Sequence, residues 1–318
     1  CVEDASLAPL DGRLGSVRSI ILTPTELAED RDGDGHGDNA FLSLVAASYS
    51  LIAGGGNVIE DLQQTLEDGR GELLLELSDA SGDAWLAAYR ATSDIDGDGA
   101  PDEAFAVRVG DDGVFAAFDD QFDLGPIHAA RARIDGTSLT TDPMSFPLYI
   151  PRDGGFALSG FYGELVIEHA RITAELDREE PGLTSVDSVA QTEDGPIPSP
   201  GLLVRGVVPL TTVARIFSEA LASCTCASLR PTPLVETWVE AEYRAVTECE
   251  QDVSGAPDCG VGDPIACENL ETICGAMGLM GGIADVDTDG DGLRDALSFE
   301  ARLSVAPAVA ADPPLVGR

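Results

Sequence analysis

Three short stretches hold the residues whose types and spacing point most directly to chemistry. They read DRDGDGHGD from Asp30 to Asp38, DIDGDGAPD from Asp94 to Asp102, and DTDGDGLRD from Asp287 to Asp295. Each sets carboxylates at loop positions 1, 3, 5 and 9 and a glycine at position 6. The carboxylates are Asp30, Asp32, Asp34 and Asp38 in the first loop, and Asp94, Asp96, Asp98 and Asp102 in the second. In the third they are Asp287, Asp289, Asp291 and Asp295. Alternate residues of a tight turn can face one centre. Gly35, Gly99 and Gly292 permit the turn, because glycine enters left-handed backbone angles freely. The position-7 carbonyls of His36, Ala100 and Leu293 add a neutral oxygen to each set. Calcium takes about six to eight hard oxygen ligands in flexible geometry, whereas magnesium demands a smaller octahedron and keeps its waters. The expectation is therefore about three calcium ions, one per loop. A solvated acidic turn explains one such stretch but not three matching copies.

The loops are not EF-hands. That motif needs a bidentate glutamate at position 12, where this chain has Phe41, Phe105 and Ser298. They read instead as short caps on the elements that follow. After the third loop, Leu297, Phe299, Ala301, Leu303 and Val305 alternate with Ser298, Glu300, Arg302 and Ser304, the pattern of a half-buried strand. After the second, Phe105, Val107 and Val109 alternate and lead through Gly110–Gly113 into Val114, Phe115 and Phe118, a hairpin pattern. After the first, Phe41, Leu44, Val45, Ser48 and Ile52 fall at helical spacing.

The stretch DIDGDGAPDEAFAV resembles the FG-GAP repeats of integrin-type propellers, in which a calcium loop feeds a strand. The D-x-D-x-D-G-x-x-D core is also similar to thrombospondin type 3 repeats. Both resemblances imply that the four aspartates of each loop are its ligands. Loop-to-loop spacings of 64 and 193 residues depart from the regular blades of a propeller. The whole chain resembles calcium-loop-bearing surface lipoproteins of myxobacteria-like organisms, which implies a location and no activity.

Around the loops, residues 1–14 read as a tether and Val17–Leu22 as a first strand. Gly54, Gly55 and Gly56 break the chain, and Asn57 can cap a short helix carrying Val58, Ile59, Leu62 and Leu66. GELLLELSD, AWLAAYRA, Ala129–Ile134, Phe146–Ile150 and Phe161–Leu176 read as strands. Residues 177–201 read as a mobile loop rich in Asp, Glu, Pro and Gly. Leu210, Val213, Ile216, Phe217 and Leu221 mark a helix, and ICGAMGLMGG a second one whose Met277, Leu279 and Met280 suit core packing. The fold class expected is mainly β: a β-sandwich-like domain with a few short helices and a disulfide-rich insertion. In that reading residues 15–223 are the main domain with two loops and 224–283 a cysteine-rich helical insertion. Residues 284–310 supply the third loop and closing strand, and 311–318 form a tail.

Composition narrows the function classes. Net charge is −39, from 57 acidic residues against 18 basic ones, and every basic residue is arginine. Nucleic acid and anionic membranes need a basic stripe, so both are excluded as partners by this balance. No run of about 18 apolar residues forms a transmembrane helix, so the membrane enters only through a lipid on Cys1. A chain starting at cysteine matches a lipoprotein after signal cleavage, on the extracellular face or in the periplasm. The other cysteines, Cys224, Cys226, Cys249, Cys259, Cys267 and Cys274, fall within 51 residues and suit three disulfides in any of about 15 pairings. No catalytic fingerprint is present, so no enzyme is expected, and His128 and His169 read as structural strand residues. The expected role is an extracellular calcium-binding scaffold or adhesion module for an unknown protein or surface partner. The alternatives are a carrier of an apolar ligand inside the β domain and, behind it, a secreted carboxylate-dependent hydrolase.

Overall fold

The computed structural model describes residues 12–31, 35–52, 73–80, 83–92, 106–109, 114–116, 128–150, 163–177, 182–192, 195–222, 235–240, 244–249 and 280–309. The leading strands are β1 (Arg13–Leu22), β2 (Leu73–Ala80), β3 (Asp83–Thr92), β4 (Ala106–Val109) and β5 (Val114–Ala116). Then come β6 (His128–Asp135), β7 (Ser138–Thr141), β8 (Met144–Ile150), β9 (Gly163–Glu175), β10 (Ser188–Thr192) and β11 (Gly195–Ser199). The last are β12 (Leu202–Pro209), β13 (Val235–Glu240), β14 (Arg244–Cys249) and β15 (Ala296–Pro307). Helix α1 (Ala40–Ile52) follows β1, and α2 (Leu210–Ala222) follows β12 without a break.

Eight strands pair in the order β1, β2, β3, β6, β7, β9, β12, β15, each antiparallel to the next, and β15 returns to pair with β1. This ring follows chain order, so it is an up-and-down barrel. β8 continues the stave begun by β7 and pairs with the first half of β9, while the β4–β5 hairpin extends from β3. The expected sandwich is thus corrected to a closed barrel. Alternation tells which side of a strand is buried, but not whether the sheet curls onto itself. Closure is decided by the β1–β15 register, from Gly15↔Pro307 to Leu22↔Ala301, a pairing of strands at opposite ends of the chain. Closing the ring removes the edge strands on which aggregation starts.

The inward face alternates as a barrel requires. Leu73, Leu75 and Leu77 of β2 join the core, while Leu74 packs outside with Leu14, Ala87 and Tyr89. Small residues (Ala84, Ala88, Ala130, Ala132) face large ones (Leu303, Phe299, Val204, Ile172) within the same core. On β15 the sequence pattern holds on the inner side, yet Ser298 and Glu300 on the outer side are also fully buried, at 0% exposure. The first loop and its flanks cover them.

β1 ends, β3 ends, β12 ends and β15 begins at the same end of the barrel, by their antiparallel registers. Helices α1 and α2 close that end. Phe41, Leu44 and Val45 from α1 and Leu210, Val213 and Ile216 from α2 are buried in the barrel's own core, together with Met280. The Phe41 ring lies 5.4 Å from that of Phe299. At the other end, the expected mobile loop is also corrected. The β10–β11 hairpin forms within it, Leu183 is buried, and its N–H donates to the Leu14 carbonyl at 2.9 Å. Between residues 224 and 283 the described parts are the β13–β14 hairpin, which lies against α2, and residues 280–283, which are helical at the end of the second expected helix and carry the buried Met280. The side chain of Cys249, the other six cysteines, Met277, Leu279, the helix expected after Asn57 and the tail lie outside the described residues. Strand β1 begins at Arg13, inside the stretch read as tether, and Gly12 donates its N–H to buried Glu76 at 2.8 Å.

Asn39 stitches this end together. It is buried, its Nδ2 donates to the carbonyls of Thr23 at 2.7 Å and Glu300 at 2.8 Å, and its Oδ1 accepts the Glu300 N–H at 3.3 Å. Truncating it strands buried backbone groups, each costing roughly 1–3 kcal/mol. Asn39→Ala should therefore lower unfolding free energy by about 2–4 kcal/mol in denaturant titrations. A loss below about 0.5 kcal/mol would show that these bonds are not holding the end closed.

Candidate metal centre

The third loop is described in full, and its hydrogen bonds explain its shape. The Asp287 carboxylate accepts the N–H of Gly290 at 2.8 Å and of Gly292 at 2.9 Å. Asp289 accepts the N–H of Asp291 at 3.1 Å, and Asp291 that of Leu293 at 2.8 Å. Asp295 accepts the Thr288 N–H at 2.9 Å and its hydroxyl at 2.6 Å. Gly290 and Gly292 have φ of 78° and 93°, angles at which a side chain is strained. Together these bonds bring carboxylate oxygens of Asp287, Asp289 and Asp291 within 4.8 Å of one another, all on exposed residues. Oxygens bound at about 2.4 Å to one ion span no more than about twice that distance, so the donor set fits a calcium-sized ion. The amide bonds, that from Gly292 foremost, hold the Asp287 carboxyl below its ordinary range, so it stays ionised and ready to bind a cation.

The first loop repeats this construction where it is described. Gly35 donates to Asp30 Oδ2 at 2.9 Å, as Gly292 does to Asp287 Oδ2. Arg31 donates its N–H to Asp38 at 2.6 Å, as Thr288 does to Asp295. The Asp38 N–H bonds the Glu29 carbonyl at 2.9 Å, as the Asp295 N–H bonds that of Val286 at 2.9 Å. Gly35 has φ of 92°, against 93° at Gly292. The described residues of two segments some 250 residues apart in sequence thus share these loop contacts. Asp32 and Asp34 lie outside the described residues, as does the whole second loop, with Asp94, Asp96, Asp98, Ala100 and Asp102. The nearest described residues of the strands beside that loop, Thr92 and Ala106, are paired with each other.

Loop stems matter as much as the aspartates, and sequence reading missed them. An antiparallel bridge between Val286 and Ala296 closes the neck of the third loop, and Leu210 at the start of α2 donates to the Asp295 carbonyl at 2.9 Å. Asp285, just before the loop, accepts the Ser298 N–H at 2.7 Å and a short bond from the Ser298 hydroxyl. The same hydroxyl accepts the Ala40 N–H at 2.8 Å, at the start of α1. Position 12, a ligand in EF-hands, here ties the third loop to the helix that follows the first. Burial pushes the Asp285 carboxyl up, the Ser298 bonds oppose this, and the charge of nearby Asp38 adds to the rise. The two loops are therefore neighbours at one end of the barrel. A visible signal was the aspartate two residues before the third loop, but an isolated acid among 57 carries no weight by itself.

The fold and these loops define an up-and-down β-barrel that carries acidic, glycine-turned loops at its helical end. No family model, no curated protein and no solved structure matches the chain.

Proposed function

We propose that the protein is a calcium-stiffened scaffold that works outside the cytoplasm, where millimolar calcium keeps such loops filled, and meets a surface or protein partner there. The observation that carries this reading is the shared geometry of the first and third loops, down to three equivalent hydrogen bonds and matching glycine angles. A solvated acidic turn has no reason to repeat that geometry, whereas a common ion does. The sites load at about 10⁻⁴–10⁻³ M calcium if they behave as other extracellular modules. The interior weighs against a carrier of apolar ligands. Leu75, Leu86, Val204, Phe299 and Leu303 show 0% exposure, so no water-sized space touches them and none is left among them for a ligand. Metal analysis after equilibrium dialysis tests the reading. About three calcium ions per chain are expected, falling to about two in Asp289→Ala. Less than one ion per wild-type chain at about 5 mM calcium, roughly fivefold above the top of the usual range, overturns it.

A further inference from the structure

A groove of about 590 Å³ runs along the outer face of the barrel, beside the first loop, and its chemistry differs from that of the rest of the chain. Arg31 enters it from the loop, Arg171 and His169 from β9, and Arg205 from β12, with Glu29 and Asp30 at the loop side. Arg205 and Arg171 stand directly opposite each other across the β9–β12 seam, an arrangement that like charges disfavour. Arg205 is satisfied: its Nε donates to buried Glu300 at 2.7 Å, and its Nη1 lies 3.4 Å from Glu29. The other two are not paired with acids. Arg31 spends its guanidinium on the carbonyls of Gly206 at 3.1 Å and Phe299 at 3.4 Å, and Arg171 has no ion pair among the described residues. In a chain with 57 acids for 18 arginines, two arginines that face one groove without a carboxylate partner among the described residues call for an explanation.

The backbone adds a second, independent sign. β9 carries one extra residue here, since Arg205 pairs with Arg171 but Val207 pairs with Glu168. His169 sits in this bulge at φ 51°, the one non-glycine residue with positive φ among the described residues. Such bulges re-aim side chains and gather at functional sites, and so does strained backbone. The bulge also packs tightly, because a Cβ on Gly206 would lie 2.4 Å from Ile167 Cγ2 and 2.8 Å from the Glu168 carbonyl. His169 lies on β9, as the sequence reading placed it, and is exposed in the lining of the groove.

Charge decides when the groove can hold an anion. Three arginines line the groove with two carboxylates, Glu29 and Asp30, and buried Glu300 pairs with Arg205, so without metal the arginine charge is largely offset inside a strongly negative protein. A calcium ion in the first loop takes Asp30 as its position-1 ligand and adds positive charge beside Arg31. We propose that this groove binds a small organic anion through Arg171 and Arg31, and that it does so when calcium fills the first loop. Guanidinium forks suit both carboxylate and phosphate oxygens, and the volume leaves room for a sugar-sized body behind the charged group. This inference rests on the calcium reading of the first loop.

Calorimetric titration of the full chain with glucuronate, glucose 6-phosphate and glucose tests it, the three sharing a sugar body and differing in charge. In 2 mM calcium at least one of the two anions should bind tenfold or more tightly than glucose, and which one does so separates carboxylate from phosphate recognition. After calcium removal on a chelating resin, which avoids an anionic chelator in solution, that affinity should fall at least tenfold. Arg171→Gln changes an exposed, unpaired side chain; it should lose tenfold or more in anion affinity while keeping the calcium stoichiometry of wild type. Anions that bind no better than glucose, or an Arg171→Gln protein that binds them as wild type does, overturn the groove. Equal affinity with and without calcium overturns the coupling. Absent calcium binding in the stoichiometry arm is the separate failure of the calcium reading.

Discussion

Stripping calcium from this protein should lower its melting temperature by on the order of 10–15 °C. At free calcium about 100 times the dissociation constant, each independent site adds roughly 2.7 kcal/mol, and three add about 8 kcal/mol. Unfolding entropy near about 2.1 cal/mol/K per residue, over 318 residues, turns that free energy into a shift of about 12 °C. The loops supply the physical cause. The third loop holds carboxylate oxygens of Asp287, Asp289 and Asp291 within 4.8 Å of one another, and the chain as a whole carries −39, so the folded state without ions must hold like charges close together. Paired melts in excess EDTA and in calcium at about 100 times the dissociation constant, about 10–100 mM for sites of the usual extracellular range, measure the effect. Magnesium at the same concentration should restore much less of it, because loops of this flexibility do not impose a small octahedron. Coincident melting curves in calcium and EDTA would remove the ions from any account of this protein's stability.

The parts of this molecule that the sequence made legible are those governed by local rules. β15 was readable from Leu297 to Val305 because a strand with one face in a core must alternate, and α1 because Phe41, Leu44 and Val45 fall on one helical stripe. The β4–β5 hairpin followed from two alternating runs around Gly110–Gly113. The barrel was not legible, because Val17 pairs with Val305 and nothing near either residue announces the other. The hairpin β10–β11 was hidden by its composition: Pro196 and Pro198 normally argue against strand, and they are tolerated here because this two-stranded ribbon pairs with no other strand among the described residues. The site divides in the same way. Ligand aspartates were visible as a repeated spacing, whereas Asp285, Asn39 and Ser298 acquire their roles only when β1, α1 and β15 meet. Glu300 looked like a solvent-facing residue of an alternating strand. It is buried because Arg205, Asn39 and the Glu29 N–H reach over it from three other segments.

Asp289→Ala should loosen the start of β15 and leave the rest of that strand protected. The third loop joins β15 directly: the N–H groups of Asp295 and Ala296 donate to the Val286 carbonyl, and that of Ser298 to Asp285. Those three amides therefore report on the loop stem. Asp289 is the cleanest ligand to remove, because among the described residues its carboxylate accepts a single bond, from the Asp291 N–H, whereas Asp287 organises two glycines. The size of the effect is bounded from both sides. Losing one site forfeits at most roughly 2.7 kcal/mol at about 100-fold excess calcium, so exchange at these amides can speed up by about 100-fold. Detaching the whole stave costs far more. Leu297, Phe299, Leu303 and Val305 are all buried, each side chain contributing about 1.5–3 kcal/mol, and β15 pairs with β12 from Ala296 to Leu303 and with β1 from Ala301 to Pro307. The variant should therefore fray locally. In 2 mM calcium, hydrogen exchange at Asp295, Ala296 and Ser298 should accelerate, while residues 301–305 and their partners in β1 exchange as in wild type. In calcium-free buffer the two proteins should become alike. If the stem amides of the variant stay as protected as those of calcium-loaded wild type, the ion does not hold the strand. If residues 301–305 open together with the stem, the barrel depends on this loop more than its buried side chains allow.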